Sequence, residues 1–560
     1  MRDTFPVVSQ DRAAEPPPVV AGETASPSGP LAPFRTPGFG WLWLGVVMSS
    51  VGFWAQNVGA QWLFINDPNA ATIVSLVQTA GTLPMVLFSL AAGVLSDAFD
   101  RRRLLIWVQL YFAVAASLLS LLTFLGKVPP LLLLAFTFAI GVGMAMQVAT
   151  WQPMITELVP RSQIAAAIRL DMVSVNVSRA IGPAIAGAVI ALWGVAPVFA
   201  INAACTLFLI LALVRWRRPP IVAARARERF LPALRTGGRY VRNEPVVKLI
   251  LIRLAVFAAP ATAMWALLPL IANRKLGLAA DGFGLLFTAL GVGAIVAAFS
   301  MGKISRYVSA KLVLSITGVM YGIAFALTMV VPGLVPALPL LFVLGFGWTA
   351  TAATLNAELQ LYLPSWVRAR AVAVYMMTFT AAQAVASPIW GLIAQHVSLV
   401  AAVWIASGLV VVGGLIGFFW NFPESGHLDR RPLAYWAEAR LLEEPEPDAG
   451  PVQVMIEYVV PAENIADWLL AMEEMRRSRA RSGATRWELY RVGERADTYV
   501  EIFTVASWAE HLHQHEVRLT AEDQAIEERA FSYTSRPNIA LHLLPATEPV
   551  MMSRAVKPPT

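Results

Sequence analysis

Twelve stretches of this chain are apolar for about as long as a helix needs to cross hydrocarbon, roughly 20 residues at 1.5 Å rise each. They fall near 41–65, 72–96, 104–126, 130–151, 168–192, 196–214, 248–272, 282–301, 311–331, 336–356, 370–394 and 400–420. In hydrocarbon every backbone N–H and C=O must be satisfied within its own segment, so runs of this length can only be helices. Composition agrees: 57% of residues are apolar and 14% charged, and the mean hydropathy is +0.60. The expected fold class is an all-α polytopic membrane protein of twelve helices, with the lipid bilayer as its surroundings. Cys205 is the only cysteine, which excludes a disulfide framework and a cysteine metal site.

The net charge of +7 would suggest nucleic acid in a soluble chain. Here the basic residues sit in short loops between apolar runs, where membrane orientation accounts for them and nucleic acid is not expected. Arg101 to Arg103, Arg161, nine arginines between 215 and 242, Lys303, Arg306, Lys311, Arg368 and Arg370 all fall on one side. The opposite loops carry Lys127, Arg274 and Lys275. The rule that positive loops stay inside predicts that both termini are cytoplasmic.

The expected domains are a disordered tail (1–33), a six-helix half (34–214), a cytoplasmic linker (215–247) and a second six-helix half (248–420). A further linker (421–450), a soluble domain (451–545) and a tail (546–560) follow. The two halves echo each other. Leu158-Val-Pro160-Arg, Arg169 and Gly182-Pro183-x-x-x-Gly187 recur weakly as Tyr362-Leu-Pro364-Ser, Arg368 and Ser387-Pro388-x-x-Gly391, offset by about 204 residues. Such repeats of two halves place a substrate site at the midplane between them.

Between the second and third runs lies Gly93-Val-Leu-Ser-Asp97-Ala-Phe-Asp-Arg101-Arg102-Arg103. It resembles the loop motif of major facilitator superfamily (MFS) transporters, Gly93, Asp97, Arg101 and Arg102 matching. Ala98 stands in place of a basic residue and Asp100 in place of a second glycine. Gly52-Phe-Trp54-Ala-Gln56-Asn57-x-x-Ala60-Gln61-Trp62, Asn176-x-x-Arg179-x-x-Gly182-Pro183 and Trp366-Val-Arg368-Ala-Arg370 resemble one MFS branch, the transmembrane secretion effectors, which include the enterobactin exporter. That resemblance implies a secondary transporter that alternates access to a central cavity. It further implies proton-coupled export of a siderophore-, drug- or metabolite-like organic molecule, with no cofactor. Asp97 is then expected to face Arg368 and Arg370 in a gate, and Gly182, Pro183 and Gly187 resemble the Gly-Pro signature of MFS antiporters.

In such a fold the first, fourth, seventh and tenth helices line the cavity. Trp54, Asn57 and Gln61 fall on one stripe of the first helix, and amides facing lipid are costly. Gln147, Trp151 and Gln152 on the fourth helix, Trp265 on the seventh, and Trp348, Thr351 and Asn356 on the tenth complete the candidate lining. Asp171 is the one acidic residue inside a helix that could carry a proton, although an ion pair at the rim, for instance with Arg169, explains it as well.

From about 452 the alternation of strands and helices reads β-α-β-β-α-β, a ferredoxin-like order. Trp487-Glu488-Leu489-Tyr490 and Glu510-His511-x-x-Gln514-His515 resemble extensions akin to antibiotic-biosynthesis monooxygenases. His511 and His515, one helical turn apart, lack an evident third ligand, so no metal is expected and dimerisation or regulation is the expected role. Two alternatives remain open from sequence: a membrane-tethered monooxygenase-like enzyme, and an MFS uptake permease.

Overall fold

The computed structural model describes residues 29–216, 238, 240–419, 433, 435–436, 441, 444–536 and 539–545. The predicted tails over 1–28 and 546–560, and most of the linkers at 215–247 and 421–450, lie outside the described residues.

Among the described residues twelve long helices follow one another: α1 (Phe39–Trp62), α2 (Ala70–Ala98), α3 (Arg101–Phe124), α4 (Pro130–Leu158), α5 (Ile164–Trp193), α6 (Ala196–Arg215), α7 (Pro245–Leu270), α8 (Ala280–Ile304), α9 (Ala310–Leu327), α10 (Leu334–Tyr362), α11 (Ser365–His396) and α12 (Leu399–Phe419). Eleven of these are long and apolar enough to cross a membrane. The exception is α1, which carries Gln56, Asn57 and Gln61 among its tryptophans. Asp100 explains one departure from the loop motif: its side chain accepts from the backbone N–H of Arg103 at 2.9 Å and caps α3, a role glycine cannot fill.

Core packing reveals the shape. At the ends of the helices away from the arginine-rich loops (the outer face), one hydrophobic core joins both halves, with Ala55, Val58, Ala71 and Val189 packed together with Trp265, Phe283, Leu344 and Trp390. At the arginine-rich inner face the core divides. Phe39, Leu42, Leu105, Ile155 and Leu213 pack within the first half, while Val247, Leu254, Leu355, Val367 and Tyr375 pack within the second. The two halves are therefore joined at the outer face and separate toward the inner one.

The weak sequence repeat lies at this joint. An added Cβ on Gly187 of α5 would meet the Ala280 carbonyl of α8 at 2.5 Å, and one on Gly284 would meet the Pro183 carbonyl at 2.6 Å. Thr288 donates to the Ala180 carbonyl at 3.0 Å across the same crossing. In the second half, Ser387 of α11 donates to the Ser75 carbonyl of α2 at 3.0 Å, and Ala384 accepts from Thr79 at 3.1 Å. Small residues recur at this register because two helix backbones touch there.

The soluble domain comprises β1 (Val452–Val459), α13 (Ile465–Ser482), β2 (Arg486–Arg491), β3 (Thr498–Val505), α14 (Trp508–His513), α15 (Ala521–Ser532) and β4 (Ile539–Leu543). Its sheet has the order β2-β3-β1-β4, antiparallel throughout, as a ferredoxin-like order requires. The second helix of the expected β-α-β-β-α-β order is instead two, divided by a π-helical turn at Gln514–Arg518 and restarted by a Thr520/Asp523 capping box. Trp468, Met472 and Met475 of α13 pack on Tyr458 and Phe503 of the sheet. Arg481 joins the domain to the bundle through Glu244 at 3.2 Å, and Arg518 lies 5.3 Å over the Trp366 ring.

Candidate functional site

Where the halves diverge, α1, α7, α10 and α11 meet in an aromatic cluster. Trp54 lies 6.4 Å from Trp265, and Trp265 meets Trp348 edge-on at 5.5 Å. Phe257 and Phe379 close on Trp348 at 5.9 and 5.3 Å. Trp265 and Trp348 belong to the shared outer core, so they form the roof of the inter-half space, and half-buried Trp54 packs against their underside. Gly182 sets the depth of Trp54: its added Cβ would lie 2.7 Å from the Trp54 Cβ and 2.8 Å from the Val51 carbonyl.

Arg179 is one turn before Gly182 on α5, and its guanidinium lies 5.2 Å from the centre of the Trp54 ring. Among the described residues no carboxylate pairs with it, and its Nε has no hydrogen-bond partner. A cation on an indole face gains about 0.5–2 kcal/mol, and its in-plane donors remain available to an anion. The sequence reading placed Arg179 in a motif and missed its place at the site, because nothing in the spacing links it to Trp54.

The α1 stripe is only partly as expected. Gln61 is buried and donates to Asn57 at 2.8 Å within the helix, leaving half-buried Asn57 as the amide nearer the space. Gln147 accepts from Gln109 of α3 at 3.0 Å, and Gln109 accepts from Ser49 of α1 at 3.4 Å, a relay between three helices. Thr351 faces away from the roof: it shares a 2.9 Å hydrogen bond with Thr317 and lines a small cleft inside the second half, beside Arg253. Asn356 accepts from Gln360 on its own helix.

Asp171 is buried where α4 meets α5. Its carboxylate accepts from the Trp151 indole at 2.8 Å and from the Gln152 amide at 3.4 Å. Arg169 is exposed, and no cation pairs with Asp171 among the described residues. The three residues named separately from sequence thus form one constellation.

The loop motif braces the first half. Arg101 bridges Asp97 at 3.0 Å and Glu157 of α4 at 2.5 Å. Arg102 donates to the Leu213 and Val214 carbonyls at 2.7 and 2.8 Å, satisfying the end of α6. Arg368 donates to the Leu363 carbonyl at 3.2 Å. Gly93 has open space where a Cβ would go, so sterics do not require glycine there.

Residues 28–547 match the family model described as transmembrane secretion effector. The chain is 23% identical over 275 residues to the staphyloferrin A transporter of Staphylococcus aureus, covering 49% of this chain and 69% of that one. It is 24% identical over 348 residues to the enterobactin exporter EntS of Salmonella typhimurium, covering 61% and 82%. A bacterial homologue of the human lysosomal transporter Spinster, solved inward-facing and unoccupied, superposes with a TM-score of 0.56 at 12% identity, over 68% of this chain and 97% of that chain. That likeness concerns the fold alone.

Proposed function

The chain belongs to the transmembrane secretion effector family of MFS transporters, and from that premise we propose that it exports a bulky organic molecule from the cytoplasm by alternating access. The observation that carries this reading is the asymmetry of the core, one shared core at the outer face and two separate cores at the inner one. On this reading the arginine-rich loops are cytoplasmic and the space between the halves opens inward, ready to load from the cytoplasm of a bacterial cell for export through its inner membrane.

The cargo is siderophore-like or drug-like: large, aromatic or polyoxygenated, and bearing negative charge. Arg179 over Trp54 supports this, since a half-buried guanidinium gains most from a carboxylate or catecholate that accepts two hydrogen bonds. The names of the relatives, a staphyloferrin A transporter and an enterobactin exporter, point to the same class.

Protons are the proposed driving ion. Asp171 is held by two neutral donors, so it can exchange a proton without first breaking an ion pair. Proteoliposomes loaded with a pH-sensitive dye test both parts. Cargo-dependent proton flux is expected from the parent protein, uncoupled cargo movement from Asp171→Asn, and neither from Arg179→Gln. Full coupled flux in Asp171→Asn would remove Asp171 from the mechanism, and full cargo movement in Arg179→Gln would remove the anion site.

A further inference from the structure

We propose that His511, His515 and His542 of the soluble domain form a binding site for one divalent transition-metal ion of the zinc class. His511 stands on α14 and His515 on the π-helical turn that follows it, while His542 arrives on β4, opposite Val454 of β1. Their candidate ligand nitrogens all lie within 4.8 Å of one another, and Nε2 of His511 is 2.9 Å from Nε2 of His542. Three nitrogens bound tetrahedrally to zinc at 2.0–2.1 Å are about 3.3 Å apart, a value between those two limits. Small side-chain rotations are enough to close the site.

The surroundings suit a cation. His511 is 1% exposed, and its Nδ1 has no hydrogen-bond partner. Trp436 meets His515 edge-on at 4.6 Å, and Trp508 packs 5.3 Å from His511. Behind Trp436 lies Arg479, buried between Glu501 and Glu527 at 3.2 and 3.4 Å. These two carboxylates pair with the Arg479 guanidinium that a metal ion at the three rings would otherwise face. Three imidazoles leave a fourth position for water, and imidazole donors favour zinc, copper or nickel over calcium or magnesium.

The site also has a route to the bundle. His515 lies three residues before Arg518, whose guanidinium covers Trp366 near the start of α11.

The test uses the full chain in detergent, purified through a tag without histidines and stripped with EDTA. Zinc is titrated in competition with a chromophoric chelator, and metal retained after gel filtration is counted by mass spectrometry. One zinc per chain is expected for the parent and for His513→Ala. His542→Ala and His542→Gln should each bind at least about 100-fold more weakly, beyond the 10–100-fold typical of losing an outer-shell partner. Cobalt substitution should give the intense visible bands of a tetrahedral site in the parent and lose them in both variants, with circular dichroism showing that each is folded. No retained zinc in the parent, or equal retention by folded His542 variants, would overturn the proposal.

Discussion

Replacing Gly187 by alanine offers the sharpest test of the architecture, because the atoms it would meet are backbone. The new Cβ would lie 2.5 Å from the Ala280 carbonyl oxygen and 3.1 Å from the Asp281 Cα. Ordinary contact begins near 3.4 Å, so α5 and α8 must part by several tenths of an ångström. Overpacking of this kind costs about 1–3 kcal/mol. The penalty falls only on the conformation in which the outer ends of the halves touch, so the ratio of outward-open to inward-open molecules should rise about 5- to 150-fold. Spin labels at Asn69→Cys and Lys275→Cys, exposed on outer loops of opposite halves, report the change once Cys205→Ser removes the native thiol. Pulsed dipolar spectroscopy should show a short distance in the parent and a longer population in Gly187→Ala. Gly302→Ala is the control, since nothing lies within 4 Å of its added Cβ and alanine in a helix is favourable. An unchanged distance distribution in Gly187→Ala would refute the assignment of this crossing to outer closure.

Other outcomes follow from the same structure. Trp54→Ala should lower transport at least tenfold at unchanged membrane abundance by removing the surface beneath Arg179, checked by cargo accumulation against immunoblotting. Glu244→Ala removes the Arg481 contact and the Tyr362 hydrogen bond. A loss of about 1.5–3 kcal/mol should make the soluble domain easier to release by limited proteolysis. Burial alone would raise the Asp523 carboxyl, yet Arg481, with hydrogen bonds from Ser478 and Thr520, holds it below the usual carboxylate range. A depressed folded value means stability present above the unfolded pKa near 3.9 and lost as pH falls through the folded one. Acid unfolding of the domain, followed by circular dichroism, should therefore lose part of its steepness in Asp523→Asn.

Much of this molecule was legible because hydrocarbon leaves so few options. Runs near 20 residues announced twelve helices, and the Gly-Pro repeat announced two related halves, although not that its residues sit at the crossings between them. Contacts between distant segments were not legible. Arg179 meets Trp54, Glu244 meets Arg481 and His542 meets His511 across separations that no local periodicity encodes. The level of Trp265 and Trp348 was not legible, because α7 and α10 are apolar on every face and carry no signal of depth. Asp171 was named without its partners, since Trp151 and Gln152 read as cavity lining and only the packing of α4 on α5 turns them toward the carboxylate.

The described contacts of the soluble domain fall on the second half alone, at Glu244 before α7 and Trp366 in α11. Should two chains pair through these domains, the second halves would become a shared stator. The first halves would then be the rotors, each stiffened internally by Arg101 and Arg102 and swinging on its α5–α8 and α2–α11 bearings. Every angular change of the cycle would be borne by the half that has no soluble domain attached to it.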